Sequence, residues 1–304
     1  MNRSKILGAT ALASLMSAGV AQAEMSVSGY VLGAFADSDG GGVTNYHTSE
    51  TVTVSYSDTL DNGMGVSVGM NIKDTLQTLV TIDTGMGSIN FSGDGRGDSA
   101  LDKVDGSTAC FGLFWCSNAY STVGGGGTYD DGDSHSGNSV RYVSPSINGF
   151  TIQASHGLES SGDYLGTDSL GVTGSIMGVT VKAGMADINF DQGGGSTETD
   201  KTPSMYALGY SIAGLDLGYA VYDSDDSTSA EETQMGVGTS VMGMYVGAQF
   251  GAHDSTGNDI DYMTLSAIKS MGAASFSYEY IEVDEAGGTA NDSDTHLVAY
   301  SIGF

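Results

Sequence analysis

The amino-acid sequence predicts an all-β fold, namely a transmembrane antiparallel β-barrel of sixteen strands. Three observations support this prediction. Apolar residues alternate with small or polar ones, tight glycine turns recur at regular intervals, and long polar stretches separate the turn-linked strand pairs. After residue 23 no apolar run approaches the ~18 residues that a membrane-spanning helix requires. A membrane crossing in this chain would therefore have to be made by strands.

The first 23 residues have the layout of a secretory signal peptide. Arg3 and Lys5 give a basic start, Ile6–Val20 is apolar, and Ala21-Gln22-Ala23 has the A-x-A form of a cleavage site. The apolar stretch is short for a permanent membrane anchor, which is the alternative reading. We expect cleavage after Ala23, so that residues 1–23 form the signal and residues 24–304 form the barrel.

Alternation with a period of two runs through the rest of the chain. The stretches VSVGMNI (66–72), VTVKAGM (179–185) and LDLGYAV (215–221) each place four apolar side chains on one face. This period is typical of strands with one apolar and one polar face. The chain has 47 glycines but only two prolines, and few prolines suit long, continuously paired strands.

A short phrase ending in glycine recurs between the alternating stretches and predicts two-residue hairpin turns, where glycine accepts a positive φ. Consecutive turns leave room for two strands of about ten residues and one long polar loop. A tilted strand of about ten residues is long enough to cross a bilayer. Seven turns, a first strand at 26–36 and a last strand at 296–304 give sixteen strands, with both termini on the turn side, expected to be periplasmic. The seven predicted turns centre on Asn62-Gly63, Met86-Gly87, Asn148-Gly149, Gly178, Gly214, Gly243 and Gly272.

The composition of the two faces indicates which one meets lipid. The small and polar face cannot fill a core, and sixteen strands enclose a wide lumen, so the apolar face is expected to point outward. Short turns on one rim and long acidic loops on the other are typical of outer-membrane barrels. The aromatic residues expected at the two membrane interfaces are Phe150, Tyr210, Phe250, Tyr278, Tyr280, Tyr300 and Phe304.

The third long loop, roughly residues 93–137, is far longer than the others, and loops of this length are usually functional. It is followed by NSVRYVSPSINGF (138–150). That segment resembles the strand–turn–strand after the third loop of general bacterial outer-membrane porins of the sixteen-stranded, trimeric type. The terminal strand ending in Phe304 likewise resembles the signal read by outer-membrane assembly machinery. The resemblance implies a third loop folded into the lumen, a homotrimer, and contacts with outer-membrane lipid and lipopolysaccharide.

The same resemblance implies a pore constriction in which acidic residues of the third loop face basic residues on the wall. Strand alternation places the basic side chains Arg141, Lys182 and Lys73 inside. The alternative is that the acidic residues belong to a solvated surface loop. The acidic candidates are Asp94, Asp98, Asp102, Asp105, Asp130, Asp131 and Asp133.

The only two cysteines, Cys110 and Cys116, lie in this loop and are separated by five residues. In an oxidising compartment this pair predicts a disulfide, and the absence of neighbouring histidines makes a zinc site a poor interpretation. The bridge would hold an apolar tip that packs either against the barrel wall or against a neighbouring subunit; the sequence leaves both open.

Charge completes the functional prediction. The chain has 37 acidic and nine basic residues, for a formal net charge of −28. Clustered acidic side chains favour cations, so we expect a passive channel for small hydrophilic solutes and ions that prefers cations. An adhesin or other surface-binding barrel is the alternative. No set of residues predicts an enzyme or a nucleic-acid partner, and the acidic loops offer oxygen ligands for Ca²⁺ without a defined site.

Overall fold

The structure of the protein is a computed structural model that describes residues 24–38, 42–73, 76–93, 99–104, 138–157, 164–190, 200–226, 229–255, 258–286 and 293–304. Within these ranges, the chain forms strands, their connections and a single 3-10 helix of three residues, Asp102–Val104. None of the described helical segments is long and apolar enough to span a membrane.

Sixteen strands form one closed antiparallel barrel, which confirms the predicted fold. Each strand pairs with its neighbours in chain order, and β1 pairs with β16 to close the wall. The strands are β1 Glu24–Ser38, β2 Gly42–Thr59, β3 Gly65–Ile72, β4 Leu76–Asp83, β5 Ser88–Gly93, β6 Ser139–Val143, β7 Phe150–Gly157, β8 Tyr164–Ile176, β9 Val179–Phe190, β10 Ser204–Ile212, β11 Leu215–Asp226, β12 Ser229–Val241, β13 Met244–Ser255, β14 Asn258–Met271, β15 Ala274–Ala286 and β16 Ser293–Gly303.

The predicted turns lie on one rim, and four of them have two residues with positive φ. These are Asn148-Gly149, Met177-Gly178, Ala213-Gly214 and Met242-Gly243. The other three differ from the predicted form. Residues 60–64 and 84–87 make longer connections, and in the β14–β15 turn Gly272 occupies the first turn position. The strand register fixes these lengths, which the Gly dipeptides alone do not specify.

Several strands extend beyond the predicted membrane-crossing length. The strands β11, β12, β15 and β16 continue into two of the long acidic stretches between the turns, at residues 223–226, 229–232, 284–286 and 293–294. Backbone pairing satisfies N–H and C=O groups whatever the polarity of the side chains, so acidic residues continue the ladder above the apolar band. The wall is also uneven: β3–β7 have five to eight residues, whereas the other strands have nine to eighteen.

The two faces of the wall differ as the alternation predicts. On the outer face apolar side chains are exposed, for example Leu170, Met185 and Leu208. The inner face carries hydroxyl and amide side chains that pair across neighbouring strands. These pairs include Thr53–Asn71, Thr81–Asn90, Ser92–Ser139 and Ser155–Ser169.

The inner face is not uniformly small or polar, which the sequence pattern did not predict. Buried apolar clusters lie on it at four places. The first is around Ile188, Met205 and Tyr222 on β9–β11, and the second is around Ile260 and Ile281 on β14–β15. Two smaller ones are Leu297 with Ala34 and Ala299, and Ala207 with Ala220. The first of these clusters is where part of the third loop meets the wall.

Candidate functional site

Residues Ser99–Val104, here called the third-loop segment, lie between β5 and β6. The segment ends in the 3-10 helix, in which the Val104 N–H donates to the Leu101 carbonyl at 2.9 Å. Ala100, Leu101 and Val104 are almost completely buried. A loop segment so fully buried requires a partner surface, and the barrel wall supplies it.

A pair of serine hydroxyls makes the polar contact with the segment. The Ala100 N–H donates to Oγ of Ser155 at 2.8 Å and to Oγ of Ser169 at 3.0 Å. Ser155 on β7 and Ser169 on β8 are cross-strand partners and hydrogen-bond each other. One backbone donor is thus shared by hydroxyls from two adjacent strands.

An apolar contact lies beside this polar one. Leu101 and Val104 join a buried cluster with side chains from β9, β10 and β11. The wall members of this cluster are Ala186, Ile188, Met205 and Tyr222.

Two paired glycines leave room for the segment. Gly171 on β8 and Gly184 on β9 are direct cross-strand partners. A Cβ at Gly184 would overlap the side chains of Val104 and Leu101, and a Cβ at Gly171 would lie 2.5 Å from the Ala100 carbonyl oxygen. Only glycine therefore allows this close approach of loop and wall.

The contacted wall residues belong to the inner face. Ser169 and Gly171 flank Leu170, which is 46% exposed on the opposite face, and Gly184 precedes Met185, which is 52% exposed there. Because exposed apolar side chains mark the outer surface, the third-loop segment lies against the inside of the wall.

Two of the predicted basic residues lie beside this contact. Arg141 on β6 is the cross-strand partner of Ser155, and its Nη1 donates to Oε1 of Gln153. Lys182 on β9 lies two residues before Gly184 on the same face. Sequence reasoning missed a third base, Lys103, which the 3-10 helix carries with its side chain exposed. Lys73 follows β3 in a bend and is also exposed.

Of the predicted acidic residues, one lies in the described part of the chain. Asp102 begins the 3-10 helix. Asp94, Asp98, Asp105, Asp130, Asp131 and Asp133 lie outside the described residues, as do Cys110 and Cys116. The acidic side of the constriction and the disulfide therefore stay predictions. In the described part of the chain, no group of three or more His, Cys, Asp or Glu side chains could hold a metal ion, and Ca²⁺ binding by the acidic loops stays a prediction as well.

A second polar group on the inner face was not predicted. Glu232 on β12 accepts hydrogen bonds from Nε2 of Gln234 at 2.7 Å and from the Tyr262 hydroxyl at 2.8 Å. Nε2 of Gln249 donates in turn to Oε1 of Gln234 at 3.0 Å. We call these four residues the β12–β14 polar network. The alternating sequence patterns of β12 and β13 place Gln234 and Gln249 on the inner face, and this was the signal available in the sequence. The pattern does not show that the four side chains meet, because they come from three different strands.

Nearer the turn rim, another inward-facing carboxylate is held by hydroxyls. Asp216 on β11 accepts from Ser211 at 2.6 Å and from the Tyr245 hydroxyl at 2.7 Å. The inner wall thus carries acidic side chains on β11 and β12, and a further one, Glu279, is buried on β15. Its basic side chains Arg141 and Lys182 lie on β6 and β9.

Comparison with known proteins places these features in context. A sequence model described as Gram-negative porin matches residues 8–303. No curated protein matches the chain.

Solved structures of barrels share the fold. A loop-deletion mutant of OmpT, an outer membrane protein of Vibrio cholerae, has a TM-score of 0.69 and 16% identity, covering 93% of this chain and 99% of that one. A double mutant of the Rhodopseudomonas blastica porin has a TM-score of 0.68 and 16% identity, covering 92% and 100%. A further porin structure has a TM-score of 0.66 and 17% identity, covering 92% and 100%. At these identities the likeness concerns the fold alone.

Proposed function

The chain belongs to the Gram-negative porin family, and we propose that it forms a water-filled channel for passive diffusion of small hydrophilic solutes and ions across the outer membrane. The observation that carries this proposal is the closed sixteen-strand barrel with an apolar outer face and an inner face rich in hydroxyl and amide groups. Sixteen strands enclose more space than inward side chains alone can fill.

The third loop narrows this channel in our proposal. It has 45 residues between the end of β5 and the start of β6, and its Ser99–Val104 segment contacts the inner face of β7–β11. The loop acids and the basic residues Arg141, Lys182 and Lys103 would then border the narrowest part.

We propose a preference for cations. Acidic residues outnumber basic ones by 37 to nine in the whole chain, and two of the basic ones, Arg3 and Lys5, would leave with the signal peptide. A narrow passage lined by charges of one sign concentrates ions of the opposite sign. The inward acids Asp216 and Glu232 act in the same sense as the loop acids, whereas Arg141 and Lys182 oppose them.

The topology that we propose has both termini in the periplasm. All seven predicted turns, of two to six residues, lie on the same rim as the start of β1 and the end of β16, and the two longest connections, 94–138 and 191–203, lie on the opposite rim. Short periplasmic turns and long external loops are usual in such barrels. Cleavage of a signal after Ala23 fits this route of export.

A cysteine placed at Met177, whose side chain is 95% exposed in a turn, should react with an impermeant maleimide only after the outer membrane is opened.

A homotrimer is also proposed. The short strands β3–β7 form one continuous low stretch of wall, and its outer side chains on β3 and β4 are mostly aliphatic, such as Val66, Val68, Met70 and Val80. The outer face of β3 and β4 is aliphatic, whereas β5 and β6 expose Phe91 and Tyr142 on the same side. An aliphatic surface of this kind suits contact with another subunit. The family match does not favour the alternative of a surface-binding protein, and the fold is typical of channels that are not enzymes.

Reconstitution in a planar bilayer tests the central proposal. Purified protein should give stepwise increases in current, with a conductance that scales with the salt concentration as expected for a water-filled pore. A protein that inserts with the correct barrel signature in circular dichroism and gives no current would contradict the channel function.

A further inference from the structure

We infer that Ser155, Ser169, Gly171 and Gly184 are positioning residues that hold the third loop at one place on the wall and thereby keep the pore at a single conductance. This inference rests on the proposed channel function. It assigns a role to wall residues that the charge-based description of the constriction leaves out.

The polar half of the attachment is specific because a single buried donor is involved. Within the described part of the chain, the Ala100 N–H donates to two acceptors, Oγ of Ser155 and Oγ of Ser169. Both serine residues are at most 8% exposed. Removing both leaves a buried N–H without its acceptors, which disfavours the attached position of the segment.

The apolar half depends on the missing side chains of the two glycines. Gly184 lies directly beneath Val104 and Leu101, and Gly171 lies beneath the Ala100 carbonyl. Because Gly171 and Gly184 are cross-strand partners, they form one bare patch of wall. A larger side chain at Gly184 must displace the segment, since the strand backbone is fixed by its ladder on both sides.

The attachment also sets which charges meet the loop. Ser155 is the direct cross-strand partner of Arg141, and Gly184 follows Lys182 on the same inner face. A loop held at these positions carries Lys103 into the same part of the lumen. Release of the segment therefore alters both the free cross-section and the local charge.

Single-channel recording tests this inference with four variants. These are Ser155→Ala with Ser169→Ala, Ser155→Ala alone, Gly184→Val and Gly184→Ala. The matched controls are Ser277→Ala, a buried inner-face serine on β15, and Gly65→Ala, where the nearest atom to an added Cβ is at 3.4 Å. We expect the double serine variant and Gly184→Val to show additional conductance levels and a several-fold larger current variance. Ser155→Ala alone and Gly184→Ala should have smaller effects, and the controls should match the wild type.

A second measurement separates positioning from a general loss of stability. Heat-dependent mobility in gels reports barrel integrity, and it should remain at the wild-type temperature in the variants with raised variance. Unchanged current traces in the double serine variant and Gly184→Val would overturn the inference. So would a rise in variance that accompanies an equal fall in barrel stability, or one that the controls share. If the wild-type protein gives no current at all, the proposed function itself fails, which is a distinguishable result.

Discussion

Phe304 and Gly29 exchange two backbone hydrogen bonds of 3.0 Å, and the Phe304 ring lies over the Gly29 α-carbon. This contact joins the last residue of the chain to the first strand. It continues the β1–β16 ladder by one step beyond Gly303 and closes the barrel at its turn rim. Tyr300 covers Gly33 in the same way, four residues further along both strands.

The Gly29 contact predicts a sensitive point in the closing seam. A Cβ at Gly29 would overlap the Phe304 ring and lie 2.6 Å from the Thr51 carbonyl oxygen. We expect Gly29→Ala to lower the free energy of unfolding by roughly 1–3 kcal/mol, as overpacking does, and to slow folding into liposomes. Gel mobility after stepwise heating measures this, with Gly65→Ala as control. Equal stability of the two variants would show that the contact between Gly29 and Phe304 does not stabilise the barrel.

The β12–β14 polar network gives a second prediction. The Tyr262 hydroxyl reaches Glu232 by crossing β13 over Gly251, where a Cβ would overlap the Tyr262 ring. Replacing Tyr262 by Phe removes this hydrogen bond from a buried carboxyl group and should cost about 1–3 kcal/mol of unfolding free energy. Urea unfolding in liposomes, followed by tryptophan fluorescence, reports the change. A variant as stable as the wild type would mean that water replaces the hydroxyl.

The turns predict a stabilising change. Met177 and Met242 have φ of 53° and 52° and side chains that are 95% and 92% exposed. Asparagine tolerates this left-handed conformation better than methionine does, and the penalty for other L-residues is about 1–2 kcal/mol. Met177→Asn and Met242→Asn should each raise the temperature of barrel unfolding. Met271→Asn serves as control because Met271 lies outside the residues with positive φ, and it should bring no gain.

Ion selectivity is predicted from the charges at the proposed constriction. Neutralising Asp98, Asp102 and Asp105 together to Asn should shift the reversal potential in a salt gradient towards anions. Arg141→Gln should shift it in the opposite direction. Both shifts should fade at high salt because the Debye length falls from ~10 Å at 0.1 M to ~3 Å at 1 M. A wild-type preference for anions, or a triple variant identical to the wild type, would exclude the loop acids from selectivity.

Subunit contact is predicted at the low stretch of wall. Val68 on β3 and Leu208 on β10 both point outward, but only Val68 lies in the short-strand region. Val68→Trp should convert trimers to monomers on gels run without heating. Leu208→Trp should leave trimers intact, because an extra aromatic ring is tolerated in lipid. If both variants remain trimeric, the contact lies elsewhere on the wall.

The strand and turn pattern could be predicted because it depends on neighbours in sequence. An apolar residue at every second position, as in 179–185, has one consistent placement in a half-polar wall, and a glycine such as Gly178 stands where the backbone needs a positive φ. Counting turns gives the number of strands, and an even number puts both chain ends on one rim. Arg141 and Lys182 could be assigned to the inner face by the same alternation. The lengths of the turns at 60–64 and 84–87 could not, because the register of the paired strands determines them.

The sequence by itself therefore determined the barrel, its strand number and the inward direction of wall side chains such as Arg141 and Lys182, since all three follow from local periodicity. The tertiary structure alone decided which inner-face residues meet. Ala100 contacts Ser155 and Ser169, 55 and 69 residues further along the chain, and Tyr262 reaches Glu232 across an intervening strand. These contacts depend on the register of every strand between the partners and on the path of a loop that has no repeating pattern. The sequence could not show that Gly171 and Gly184 leave room for the third-loop segment, for the same physical reason. A missing side chain matters only where another part of the chain approaches it.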